Sequence, residues 1–334
     1  MTFAKTLAAA AALMMTAAGV QAQEAANPAV IFDLGGKFDR SFNQASYEGA
    51  ERFTKETGIA YEGFELQNDA QREQALRRFA ERGHNPVITN GFSYGSAMET
   101  VAPEFPDTDF VVIDTVVDLP NVRSVVFNEH EGSYLVGVLA AMASKTGKVG
   151  FVGGMDIPLI QKFACGYVQG VKATNPDIEV FQAMTGTTGA AWNDPVRGGE
   201  LAKSQIDRGA DVVYHAAGGT GIGVLQAAAD AGVLGIGVDS NQNYLHPGQV
   251  LTSMTKRVDI ATYNAMMDVH NGTFTPGVNV MGLAEDGVGW ALDENNEKLI
   301  TPEMKAAVDA AQAKIVSGEI KVHDYSTDGA CPVS

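Results

Sequence analysis

Carboxylates recur where apolar runs of this 334-residue chain give way to turns: Asp33 and Asp39 after the first run, Asp114 after the fourth, Asp156 and Asp239 in the second half. At the carboxyl end of a strand such groups accept hydrogen bonds from a ligand's hydroxyl or amine, or act as helix caps. Asn43 adds an amide, and Tyr47, four residues on, shares its helical face, so an amide contact and a flat ring could meet one ligand. Phe163 holds the matching place in the second half, after GGMDIPLIQKF, and two opposed rings would clamp a planar group. Lys256, with Arg257 after LTSMT, offers a cation to orient Asp239 and donate to a ligand hydroxyl.

Two glycine motifs point to other chemistry. Gly219, Gly221 and Gly223 follow a strand but read GxGxG, which lacks the GxGxxG spacing of a dinucleotide loop. Gly91-Phe92-Ser93-Tyr94-Gly95 matches a hydrolase nucleophile elbow, with Asp239 and His246 or His270 as partners in the required order. No HGGG-like oxyanion segment accompanies it, and glycines admitting a loop close to a ligand produce the same string. Six scattered histidines and no CxxC or HExxH leave no metal motif, and no cofactor is expected.

The elements that must position these groups alternate. Strands over 30–34, 59–64, 87–89, 110–114 and 122–127 are separated by helices over 43–56 and 69–82 and a short one after Tyr94, then followed by a helix over 131–143. The pattern restarts near Lys148, with strands over 149–152, 178–181, 212–214 and 233–238 between helices over 159–173, 195–208 and 223–231. Such order implies right-handed βαβ crossovers. The restart favours two parallel sheets, with a crossing near Asn128, over one long Rossmann sheet. A strand over 251–254 then feeds a helix over 258–270 returning to the first lobe, and 288–292 and 302–315 complete the chain.

Lys5, the apolar 7–20 stretch and the small exit Val20-Gln21-Ala22 read as a cleaved signal peptide over 1–22. No lipobox cysteine follows, so a periplasmic protein without a lipid anchor is expected. A net charge of −17 argues against nucleic acid or an anionic membrane as partner. Cys165 and Cys331 are too few for a disulfide scaffold, and their pairing stays open because sequence does not reveal their separation.

The blocks Asp39-Arg40-Ser41-Phe42-Asn43-Gln44, Glu131-Gly132-Ser133-Tyr134, Gly153-Gly154-Met155-Asp156-Ile157-Pro158, Ala216 to Gly221, Gly237-Val238-Asp239-Ser240 and Thr252 to Asp259 resemble the basic membrane protein family. These are substrate-binding components of ABC importers and include the PnrA-like purine nucleoside receptors. The resemblance implies an α/β type I periplasmic-binding fold with two lobes and three hinge crossings. Residues 23–127 with 256–285 would form the N-terminal lobe, and 128–255 with 286–334 the C-terminal one. It further implies a monomeric receptor, not an enzyme, that passes a nucleoside to a membrane permease. Carried over, Asn43 and Asp114 resemble base-recognition residues, Tyr47 and Phe163 the aromatic clamp, and Asp239 with Lys256 the ribose pair. Gly218 and Gly219 would line the sugar side, and Asp39, Ser41 and Phe42 complete the expected ligand-binding set. Tyr47 stands where Phe or Trp is common in the family. His130, if near the hinge, would make closure pH-sensitive, with a satisfied surface histidine as the plainer alternative.

Overall fold

A computed structural model describes residues 26–334. In chain order its elements are β1 (Ala29–Phe32), α1 (Phe42–Thr57), β2 (Glu62–Glu65), α2 (Arg72–Glu81), β3 (Val87–Asn90), α3 (Gly95–Val101), β4 (Phe110–Ile113) and β5 (Val122–Phe127). There follow α4 (Glu129–Ala143), β6 (Lys148–Met155), α5 (Pro158–Thr174), β7 (Glu179–Gly186), α6 (Pro195–Asp207), β8 (Val212–Ala216), α7 (Gly221–Asp230), β9 (Leu234–Asp239) and β10 (Val250–Lys256). The chain ends with α8 (Val258–Asn271), β11 (Gly277–Met281), β12 (Val288–Trp290) and α9 (Pro302–Val316).

Two six-stranded sheets result, ordered β11-β5-β4-β3-β1-β2 and β12-β10-β9-β8-β6-β7. Omitting β11 and β12, the two orders are the same, so β4 corresponds to β9 and β5 to β10. Every pairing is parallel except β12 on β10. Helices cover both faces of such sheets, which explains why β1, β3 and β4 are buried along their whole length and why β1 and β4 read as apolar runs without alternation. The single Rossmann sheet is thereby excluded.

The chain crosses between lobes three times. After β5 it enters α4, which packs on α5, β10, β12 and α9. After β10 it returns as α8, packed on α1, where Gly49 lets the backbones touch: a Cβ there would lie 2.2 Å from the Asp259 carbonyl oxygen. The third crossing joins β11, in the first sheet, to β12, in the second. The sequence reading contains no β11, because Val278 and Val280 alternate with Asn279 on an exposed edge and lack a buried strand's apolar run.

In the second lobe α4 and α5 meet backbone to backbone. Cβ atoms on Gly137, Gly166 and Gly170 would lie 2.4, 2.3 and 2.1 Å from the carbonyl oxygens of Tyr167, His130 and Tyr134. Cys165 on α5 is bonded to Cys331, with 5.5 Å between their Cα atoms, which fastens the C-terminal segment to this helix. The expected Asp194-Pro195 start of α6 is present, with the Asp194 carboxylate accepting from the Arg197 amide at 2.9 Å.

Candidate functional site

The carboxyl ends of both sheets face one another across a cleft of about 590 Å³, part of it open to solvent. Strand ends of the first lobe bring Asp33, Asp39, Asn43 and Asp114 to it, and those of the second bring Gly218 and Asp239. Lys256, at the end of β10, closes the hinge side.

Asp39 is the cap of α1. Its carboxylate accepts from the Ser41, Asn43 and Gln44 amides at 2.8, 3.0 and 3.1 Å, the service that Ser41, the residue before the helix, leaves undone. Burial pushes the Asp39 carboxyl up to about 6 against the pull of those amides. The Asn43 side chain bridges the same loop, accepting from the Asp33 amide at 2.9 Å and donating to Asp39 at 3.2 Å. Asp33, buried and raised above its ordinary range by desolvation, is backed by the Arg72 guanidinium at 2.5 Å.

Asp114 and Asp239 end corresponding strands, and both adopt left-handed backbone, with φ of 74° and 63°. That conformation is uncommon outside glycine, though Asp tolerates it better than most residues. Lys256, 2% exposed, places its Nζ 2.7 Å from Asp114 and 3.0 Å from Glu129, and the rings of Phe42, Phe127 and Phe163 surround it at 5.0 to 5.5 Å. Burial raises Asp114 and Asp239 to about 6 despite the nearby ammonium. The same carboxylates outweigh desolvation at Lys256 and hold it protonated well above the usual lysine range.

Asp239 takes its hydrogen bond from the opposite lobe. Ser41 Oγ donates to it at 2.5 Å, Ser240 Oγ donates to the Ser41 carbonyl at 2.8 Å, and Gln242 Nε2 donates to the Arg40 carbonyl at 2.9 Å. With Ser41 Oγ also 3.3 Å from the Val238 carbonyl, these hydrogen bonds fasten the loop before α1 to the end of β9 and the residues after it.

The rest of the cleft is apolar. Phe42 and Phe92 face it from the first lobe, and Leu159, Ile160, Phe163 and Trp192 from the second. Trp192 lies over bare backbone, since a Cβ on Gly154 would fall 2.1 Å from its ring. Together the two ends suit a ligand with a flat apolar part and a polar part rich in hydroxyls.

Of the sequence-predicted residues, Asp33, Asp39, Phe42, Asn43, Asp114, Phe163, Gly218, Asp239 and Lys256 meet at the cleft. Ser41, Tyr47 and Gly219 do not line it. Tyr47 lies more than a turn further along α1 than Phe42, and its ring packs edge-on against Phe38 at 5.3 Å. Ser41 reaches the site through its hydrogen bonds to Asp39, Asp239 and the Val238 carbonyl. Asp156 is exposed and tied to Gln161 at 2.7 Å. His130 is buried, not at the surface, and burial followed by the nearby Lys162 charge lowers it to about 4, so it stays neutral near neutral pH. Trp192 and Glu129 were missed. The rarity of tryptophan, two in the chain, was the one signal for the first.

Gly91, with φ of 110°, brings its loop against Asp33, where a Cβ would fall 2.5 Å from the carboxylate. Asp239, the acid a triad needs, is bonded to Ser41, while His270 packs on Phe53. The GxSxG string is therefore explained as a close approach. Among the described residues no group of His, Cys, Asp and Glu is arranged to hold a metal ion.

Two parallel-sheet lobes, three crossings and a cleft between strand ends define the class as a type I periplasmic-binding protein. The family model for PnrA-like ABC transporter substrate-binding proteins matches residues 26–326, and the chain belongs to that family. It resembles the ABC transporter nucleoside-binding protein BmpA of Lactococcus lactis, with 34% identity over 88% of each chain. A solved solute-binding protein of an Aeropyrum pernix ABC transporter system superposes with a TM-score of 0.83 at 30% identity, covering 91% of this chain and 95% of that one. The protein is thus a transport component that works with an ABC permease and is not an enzyme.

One expectation is corrected. Relatives from Pyrococcus abyssi, Pyrococcus furiosus and Pyrococcus horikoshii, 32 to 35% identical over 79 to 91% of this chain and 69 to 87% of theirs, are named lipoproteins. Release without a lipid anchor is therefore withdrawn, and the leader over 1–22 from which it was read lies outside the described residues.

Proposed function

We propose that the cleft binds a purine nucleoside and that a single copy of the closed protein presents it to the permease. The reading is carried by the juxtaposition of a ring-lined wall with a polar corner built from Asp114, Asp239 and Lys256. The base would lie between the aromatic groups, with Phe42 in the place first given to Tyr47 and with Phe163 and Trp192 from the other lobe. Asn43, Asp33 and Asp114 would read its polar edge. The ribose hydroxyls would donate to Asp239 and accept from Lys256. Lys256 has three N–H groups, of which one donates to Asp114 at 2.8 Å, with Glu129 beside it as an ion-pair partner. The lactococcal relative's name, a nucleoside-binding protein, points the same way.

Isothermal titration with guanosine, inosine and adenosine tests the proposal, beside mass spectrometry of any ligand released on denaturation. At least one nucleoside binds, and Asp239→Ala costs about 1–3 kcal/mol of that binding by leaving a buried hydroxyl unpaired. Unchanged affinity in the variant removes Asp239 from the site. Release of a free purine or another sugar-bearing metabolite instead would replace the ligand class.

A further inference from the structure

Behind Lys256 runs a line of charges that the cleft itself does not use. Glu129, 1% exposed, meets Lys256 Nζ with one carboxylate oxygen at 3.0 Å and Lys162 Nζ with the other at 3.1 Å. Lys162, also buried, donates to the Phe127 carbonyl at 2.7 Å and stands 3.4 Å from the Asp324 carboxylate. Asp324 belongs to the C-terminal segment, which the Cys165–Cys331 bond and a two-way hydrogen bond between Gln169 and the His323 backbone, at 2.8 and 3.0 Å, hold against α5. Signs alternate along the whole line, from Lys256 through Glu129 and Lys162 to Asp324.

The geometry bears directly on the lysine. An ammonium has three donors in fixed mutual directions. Asp114 alone, through one hydrogen bond at 2.8 Å, would leave the Nζ free to turn about that contact, and the Glu129 charge 3.0 Å away restrains it electrostatically. Burying the Glu129 charge is costly unless it is paired, and Lys256 and Lys162 pair with one oxygen each. Burial opposes ionisation of Glu129, yet the two ammonium groups prevail and hold its carboxyl below the ordinary range.

We propose that Glu129 is a positioning residue that holds the Lys256 ammonium toward the cleft, and that the C-terminal segment, through Asp324 and Lys162, holds Glu129 in place. The identity of the group so read, a ribose hydroxyl, rests on the nucleoside reading above.

The test compares guanosine with its 2′,3′-dideoxy analogue on the wild type, Glu129→Gln and Asp324→Asn. Glu129→Gln should weaken guanosine about tenfold while changing the dideoxy compound less than about twofold, and Asp324→Asn should move the ratio the same way by a smaller factor. A merely structural role would lower the unfolding midpoint or both affinities together, and a ratio kept in both variants overturns the inference. If the wild type binds no nucleoside, the functional reading fails instead. The ligand-free protein then decides: the Lys256 Nζ protons, slowed by the ion pairs, should exchange with solvent faster in both variants, most in Glu129→Gln. Unchanged exchange in both overturns the inference whatever the ligand. Asp324 is partly exposed on the surface segment, so its variant remains informative should Glu129→Gln not fold.

Discussion

Asp114 and Asp239 occupy the same place in two lobes of the same topology, yet they are held in different ways. Asp114 is in direct contact with the Lys256 ammonium, which β10 of the second sheet carries at the hinge crossing, where a change in lobe angle displaces groups least. Asp239 receives its hydrogen bond from Ser41, a residue of the other lobe, and has it only when the lobes meet. Both contacts join the lobes, one beside the hinge and the other at the loops that meet on closure. Duplicated architecture has supplied two equivalent positions, and their neighbours have divided the labour.

The strongest test of this contrast is Lys256→Met. It leaves Asp114 and Glu129 as buried carboxylates without their shared partner and should cost about 3–5 kcal/mol in urea unfolding of the ligand-free protein. A loss under about 1 kcal/mol would show that Asp114 does not depend on the hinge lysine.

The pH dependence tests the other side. Burial raises the folded pKa of Asp239 to about 6 from the ordinary 3.8, so the folded protein holds this proton more tightly than the unfolded chain. Stability from the group is complete below about 3.8 and is lost as pH rises through about 6. Asp239→Asn carries no such charge, so between pH 4 and pH 7 it should gain on the wild type by roughly 2–3 kcal/mol. An unchanged gap would mean that Asp239 is as well solvated folded as unfolded.

The smallest effect is expected for Ser41→Ala. Loss of one cross-lobe hydrogen bond should weaken ligand binding by about 0.5–1.5 kcal/mol and expand the ligand-free protein in solution scattering. Asp114→Asn serves as the control, since it should not open the lobes. Equal expansion in both would erase the distinction between the contact beside the hinge and the contact made on closure.

Much of this arrangement follows from local pattern. The apolar runs, the restart near Lys148 and the strand-end acids all obey short-range rules, and of the nine predicted residues that reach the cleft all but Phe163 lie at or just beyond element ends. What failed depends on longer-range relations. Helical period puts Asn43 and Tyr47 on one face but does not say how far along α1 the cleft extends, and it extends only as far as the first turn. Trp192 comes from a connection whose path is set by Thr185 and Thr220, both donating to the Ala191 carbonyl, and by the bare surface of Gly154. Glu129 sits in Asn128-Glu129-His130-Glu131, four polar residues in a row, with nothing local to mark the one that is buried between two lysines. Cys165 and Cys331, 166 residues apart, are joined by the tertiary fold alone.

The glycine contacts between α4 and α5 have a mechanical consequence. Side chains between packed helices act as a cushion that repacks under load, and here carbonyl groups of one helix rest directly on the Cα atoms of the other. α4 starts at the hinge crossing and α5 carries Phe163, so rotation at the hinge is transmitted to that ring without slack. Phe163 then swings as a rigid vane with the first crossing.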